Sequence, residues 1–266
     1  DIVKDFLLKQ GISRALGRKI KLYGEIFINS QPAQNWYPLK KGDVLLARLD
    51  EDANPVIKPS QEPLDIVYED DALLIINKPS NLTTQPSKKH SDDSLIARVK
   101  YYYDTKGIHG NIHVATRLDL ATSGLMLIAK NAFIHHQLMQ RKIEKKYLAR
   151  IQGIIIPKEG SINLPIKRLE GSSLKRQVAP DGKPSQTEYK VLEEKDNESI
   201  LELTLLTGRC HQIRVHLSYL GYPIYGDKLY GIPGETLFLH SYYLGFIHPM
   251  TNKFIAFTSY PQWFQK

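Results

Sequence analysis

Apolar residues are distributed along this chain in two ways: at helical spacing in a few short stretches, and as compact runs of β-forming residues elsewhere. Near the start, Val3, Phe6 and Leu7 fall three to four apart, the repeat of one helix face, and Gly11 is placed to stop that helix. Ser13 reads as the N-cap of a second helix, with Leu16 and Ile20 on one face and Arg14, Arg18 and Lys21 on another. The runs 25–29 (EIFIN) and 43–49 (DVLLARL) predict strands, the second preceded by a turn at Lys40, Lys41 and Gly42. Further on, 64–69 (LDIVYE) and 72–78 (ALLIINK) predict a strand pair around Asp70, and 94–99 (SLIARV) a helix.

Strand patterns then dominate, at 125–130 (LMLIAK), 146–155, 187–194, 199–206 and 254–260. Helices are predicted at 132–143 and at 211–220, where Ile213, Leu217 and Leu220 share a face. Strands and helices interleave irregularly, so the expected class is α+β with a mixed, mainly antiparallel sheet rather than a doubly wound α/β sheet. Between 50 and 63 the chain carries three prolines, little apolar content and a net charge of −3, the composition of a linker. Three units are therefore expected: a small α/β module at 1–49, a linker at 50–63 and a large domain at 64–266.

Composition adds a partner class. The chain has 266 residues, 42% hydrophobic, enough for a sizeable core, and Lys and Arg outnumber Asp and Glu by 36 to 28, for a net charge of +8. Residues 1–49 alone hold nine basic and four acidic side chains. Such a balance points to a polyanionic partner, although a solvated helix face explains the stripe of Arg14, Arg18 and Lys21 equally well from spacing alone. Cys210 is the single cysteine, which excludes an internal disulfide and a cysteine-rich zinc site and fits a reducing compartment, by default the cytoplasm. No stretch approaches the about 18 apolar residues of a membrane span, and the first thirty residues lack the apolar run of a signal peptide. The chain begins at Asp1 rather than at a Met, so a longer native N-terminus is expected.

Common cofactor and hydrolase signatures are absent: there is no GxGxxG after a strand, no GxxxxGK[ST], no GxSxG and no HExxH. His211 and His216, five apart, are badly spaced to share a metal. What stands out is Arg117-Leu118-Asp119-Leu120-Ala121-Thr122-Ser123-Gly124, a charged loop leading into an apolar strand. By spacing alone Asp119 is a turn residue, satisfied by the amides of Thr122 or Ser123.

That run resembles the catalytic signature of the RluA family of pseudouridine synthases, in which Arg-Leu-Asp followed by Thr-Ser-Gly carries the essential aspartate. Further blocks agree in the same order: Lys146-Tyr147-Leu148-Ala149, the run 207–217 (TGRCHQIRVHL), the run 221–227 (GYPIYGD), Leu239-His240, and Phe246 with His248-Pro249. Upstream, 64–82 is similar to the family's opening strand pair, so the resemblance spans about two hundred residues. Residues 1–49 resemble, more weakly, the small RNA-binding domain named after the fourth protein of the small ribosomal subunit. Two positions depart from the pattern, Thr116 and Gln85, where relatives often carry His.

The resemblance implies the pseudouridine synthase fold and an isomerase that rearranges uridine within RNA without cofactor or metal. Asp119 would start the reaction, Arg214 would keep its carboxylate charged, and Tyr147 would stack on the target uracil. Arg117 would fill the gap left by the extruded base, with Arg209 and His211 adding RNA contacts, while Arg14, Arg18, Lys19 and Lys21 would hold RNA on the small module. Ribosomal RNA of the large subunit is the favoured substrate, transfer RNA the rival, and a monomer is expected. Two other classes compete: a catalytically idle RNA-binding or ribosome-assembly factor, and a methyltransferase carrying the same small module. The second would need a glycine-rich loop after a strand, which is missing.

Overall fold

Ser13 caps the first long helix as expected, its Oγ accepting the Leu16 amide at 3.1 Å. Our computed structural model of the protein describes residues 1–49, 57–86 and 93–264. Helices α1 (Val3–Lys9) and α2 (Arg14–Tyr23) lie on a three-stranded sheet, β2 (Gln31–Pro32), β1 (Glu25–Ile28) and β3 (Leu45–Arg48) in that order. The first predicted strand ends at Ile28 because Asn29 and Ser30 both take positive φ, the two-residue hairpin turn that reverses the chain into β2. Val3, Leu7, Ile20, Ile26 and Ile28 form a separate small core. Asn29 and Asp43 bond to each other across the turns, tying β1 to the Lys40–Asp43 corner.

Of the predicted linker, 50–56 lie outside the described residues. Residues 57–63 form no helix or strand, yet they are pinned: the Ser60 amide donates to the Ala97 carbonyl, and Arg98 donates to that of Pro63.

The remaining elements follow as β4 (Ile66–Glu69), β5 (Leu73–Lys78), α3 (Leu95–Lys106), β6 (His113–Val114), β7 (Ser123–Ala129), α4 (Ala132–Met139), β8 (Ile143–Gln152), β9 (Glu159–Asn163), β10 (Ile166–Arg168) and β11 (Arg176–Val178). They end with β12 (Gln186–Lys195), β13 (Glu198–Leu205), α5 (Gln212–Tyr219), β14 (Leu239–Ile247) and β15 (Phe254–Thr258). Ten of these strands make one sheet, in the order β4-β5-β7-β14-β8-β13-β12-β9, with β6 beside β7 and β15 beside β14. All its pairings are antiparallel except β7 with β14. The class is therefore the mixed, mainly antiparallel α+β fold that the sequence predicts.

The apolar run of β7 lacks alternation because both faces are covered. Leu125 and Leu127 pack with α4 through Ile134 and Leu138, while Met126 and Ile128 pack with α3 through Leu95 and Val99. Each such fully buried side chain contributes about 1.5–3 kcal/mol. On the other wing of the sheet, Ile213 and Leu217 of α5 pack on Ala149, Leu201 and Leu203. The two wings meet where β14 pairs with β7 on one edge and β8 on the other. Gly124 is required at that seam: its φ is +114°, and a Cβ there would lie 2.3 Å from the Ser241 carbonyl oxygen.

Two of the predicted helices and one strand differ from prediction. The helix expected over 132–143 stops at Met139, since Ile143 already pairs with Phe246 of β14. The helix expected from 211 starts at Gln212, with His211 as N-cap at φ +58°. Its buried side also differs: Leu220 is 39% exposed, while Gln212, Arg214 and His216 are buried. Strand β14, with its two tyrosines and a glycine, escaped prediction altogether because its place is set by neighbours on both edges.

Candidate active site

The loop entering β7 is held carbonyl by carbonyl. Thr84 donates to Leu118 at 3.2 Å, Lys78 to Leu120 at 3.2 Å and Ser80 to Ala121 at 2.7 Å, all from the end of β5 and the chain just after it. The Thr122 amide donates to the Asp119 backbone carbonyl at 3.1 Å. The capping expected from spacing thus falls on the Asp119 main chain, and its carboxylate faces a cavity of about 360 Å³, a size suited to a small ligand or one nucleotide. Thr116, one of the two departures, is buried and accepts the Leu127 amide, a structural task.

Six sequence-predicted residues line this cavity: Arg117, Asp119, Tyr147, Arg209, His211 and Arg214. Arg117 and Arg209 are exposed at its rim. Tyr147 is only 5% exposed and belongs to the core as well as to the cavity wall, so packing and cavity lining are one role here. Arg14, Arg18 and Lys21 line a separate groove between α1 and α2, together with Leu7 and Ile12. Lys19 does not, because it projects from another side of α2.

Arg214 lies within ion-pair distance of Asp119, as expected, and is held by a second carboxylate besides. Its Nε and Nη2 make a two-pronged bond to Asp227, at 2.8 and 2.7 Å, and only Nη1 reaches toward Asp119, 3.7 Å from Oδ2. Asp227 is itself fixed by the amides of Leu229 and Tyr230, and Tyr230 lies under the guanidinium at 5.1 Å. Burial opposes the charge on Arg214, but Asp227 and Asp119 outweigh it and raise its pKa. Burial likewise pushes the Asp227 carboxyl up, while Arg214 and the two amides bring it below its ordinary value. His211 sits across from Asp119, Nε2 3.8 Å from Oδ2, with its pKa lowered mainly by burial. His216 points elsewhere, bonded to Thr187 and the Leu164 carbonyl, so the two histidines share nothing.

Four participants escaped the sequence reading. Asp227 ends the 221–227 block but carried no assigned role there. Lys78 is fully buried, donating to the carbonyls of Pro79, Leu82 and Leu120, and burial lowers its pKa to about 7 against the opposing pull of the Asp119 charge. A lysine closing an otherwise apolar strand was the available signal. Lys145 also lines the cavity, its pKa lowered by burial. Cys210, finally, stands with Asp119 and His211, their donor atoms all within 4.8 Å of one another.

A carboxylate beside a locked guanidinium, a flat aromatic wall and a basic rim define a class: an enzyme working on a nucleotide within a polyanion, through general acid–base or nucleophilic chemistry. Residues 72–219 match the sequence profile of the family described as RNA pseudouridylate synthase. An uncharacterized RNA pseudouridine synthase of Bacillus subtilis is 38% identical over 264 residues, covering 96% of this chain and 93% of the relative. Ribosomal large subunit pseudouridine synthase D of Borreliella burgdorferi is 34% identical over 249 residues, 84% of this chain and 76% of the relative. Among solved structures, human RNA pseudouridylate synthase domain containing 1 superposes with a TM-score of 0.63 at 27% identity, over 76% of this chain and 85% of that one. The chain belongs to the RNA pseudouridylate synthase family and is an isomerase acting on RNA.

Proposed function

We propose that this enzyme is an RluA-type synthase that converts uridine to pseudouridine in large-subunit ribosomal RNA, with Asp119 starting the rearrangement. The observation carrying this reading is the convergence of Asp119, Arg214 and Tyr147 on one cavity, with Arg214 held from behind by Asp227. In the reaction the bond from ribose to uracil N1 breaks, the base turns, and a bond to C5 forms; the C5 proton leaves and N1 gains one. Atoms balance within the uridine, so no cofactor is needed. Asp119 acts as nucleophile or as base. Arg214 offers its charge to that carboxylate without swinging, because two of its nitrogens are committed to Asp227.

The target must leave its stack, at a cost of a few kcal/mol. Stacking on Tyr147 returns about 1–3 kcal/mol, and Arg117 fills the gap left in the RNA. Arg209 and His211 hold flanking nucleotides. Residues 1–49 serve as an RNA-binding module, with 50–63 as linker and 64–266 as catalytic domain, acting as a monomer in the cytoplasm. The ribosomal assignment draws on the basic groove of that module and on the name of the Borreliella relative.

Tritium release from RNA labelled at uracil C5 tests the site. Asp119→Asn is expected to release none above background, and release equal to native removes Asp119 from the mechanism. Pseudouridine mapping in a deletion strain tests the substrate: loss confined to transfer RNA refutes the ribosomal assignment.

A further inference from the structure

We infer that the cavity mouth is also a zinc site, built from the Asp119 carboxylate, the Cys210 thiolate and the His211 imidazole, and that zinc bound there silences the enzyme. The donor atoms lie within 4.8 Å of one another, and Asp119 Oδ2 and His211 Nε2 are 3.8 Å apart. Tetrahedral zinc with bonds of about 2.0–2.3 Å places its ligands roughly 3.3–3.8 Å apart. Closure therefore takes a shift of about 1 Å, available to the exposed Cys210 by side-chain rotation. One sulfur, one nitrogen and one oxygen donor suit zinc rather than magnesium or calcium, and the fourth position opens into the cavity.

The surroundings prepare the imidazole. Its Nδ1 lies 2.8 Å from the Tyr230 Oη, which also accepts the Arg176 amide. With its second lone pair Oη can accept a proton from Nδ1, leaving Nε2 bare and aimed toward Asp119, the orientation that metal-bound histidines receive from an outer partner. Burial lowers the pKa of the ring. Arg117, Arg176 and Arg214 lie close enough to act on Cys210 and oppose a cation, so the two anionic ligands are both required. On binding, the Cys210 thiol releases its proton to solvent as the sulfur–zinc bond forms. Asp119, committed to zinc, is no longer available to uridine; this loss of activity rests on the proposed role of Asp119, whereas binding does not.

Metal-stripped full-length protein is titrated with zinc chloride and, as a spectroscopic probe, cobalt chloride. One equivalent should bind, cobalt should show thiolate charge-transfer absorption in the near ultraviolet, and zinc should abolish tritium release until a chelator is added. In Cys210→Ser the absorption should vanish, and zinc affinity and half-inhibiting concentration should each shift by at least about 10- to 100-fold, every rate referred to that variant's own metal-free rate. Failure to bind one equivalent, or unchanged binding by Cys210→Ser, overturns the site. Binding with the expected absorption but undiminished tritium release leaves a Cys210 metal site standing and overturns the silencing; tritium release by metal-free Asp119→Asn then separates the two grounds, a lost rate showing that zinc leaves Asp119 free and a native rate showing that Asp119 is not catalytic.

Discussion

Arg214 gives its two-pronged hydrogen bond to Asp227 and turns only its remaining nitrogen toward Asp119, 3.7 Å away. The partner that fixes the arginine is thus distinct from the residue it serves. In the proposed mechanism a single Arg–Asp pair would let the guanidinium follow the carboxylate as it reacts; the second carboxylate holds it in place, so its charge is pre-positioned.

Asp227→Asn tests that division of labour. Breaking a buried charge pair from one side costs about 3–5 kcal/mol of stability, visible as a lower Tm. We expect kcat to fall about 100-fold with KM little changed, since misplacing a positioned charge costs of that order. A loss of stability with kcat intact would make the pair purely structural.

Lys78 should imprint itself on the pH dependence of stability. Its folded pKa is lowered to about 7 from an ordinary 10.5, so between those values the unfolded chain binds more protons and stability rises with pH. The contribution is complete above 10.5 and lost as pH falls to about 7, with a slope of up to about 1.4 kcal/mol per pH unit. Urea unfolding of native protein and Lys78→Met from pH 7 to 10 should show a difference that grows with pH in favour of the native protein. A constant offset would mean that the buried ammonium keeps its ordinary pKa.

The groove carrying Arg14, Arg18 and Lys21 should contribute to the salt dependence of RNA binding. Replacing all three with Ala should reduce the slope of log affinity against log salt by about 2, at about 0.7 per phosphate on single strands. Lys19→Ala, off the groove, should change the slope less than Arg18→Ala does. Equal effects would reduce the groove to general surface charge.

Gly124→Ala should damage the seam between β7 and β14. Both the positive φ and the 2.3 Å approach to the Ser241 carbonyl oppose a Cβ, and backbone strain of this kind costs about 1–3 kcal/mol before any clash. Thermal unfolding measures it, and an unchanged Tm would show that the seam can open at no cost.

Local chemistry made much of this legible beforehand. Ser13 capping α2, the apolar runs of β5 and β7 and the mixed sheet all follow from interactions between residues near in sequence, or from burial that leaves an apolar stretch in the chain. Asp119 did not stand out on local grounds: its spacing describes a turn residue, and the resemblance over 64–260 singled it out. Strand β14 shows the limit, because besides its hairpin partner β15 it is held by β7 and β8, which lie about a hundred residues away in the chain.

Pattern and composition gave the α+β class and the basic character of the first segment, and the resemblance of the sequence to a known family added the candidates at 117, 119, 147, 209, 211 and 214. Only the folded chain decided that Arg214 leans on Asp227, that Lys78 is sealed beneath the Asp119 loop, and that Cys210 meets Asp119 and His211. These contacts span 13 residues for Arg214 and Asp227, 42 for Lys78 and Leu120 and about 90 for Cys210 and Asp119, separations that sheet pairing and core packing close and that spacing along the chain does not encode.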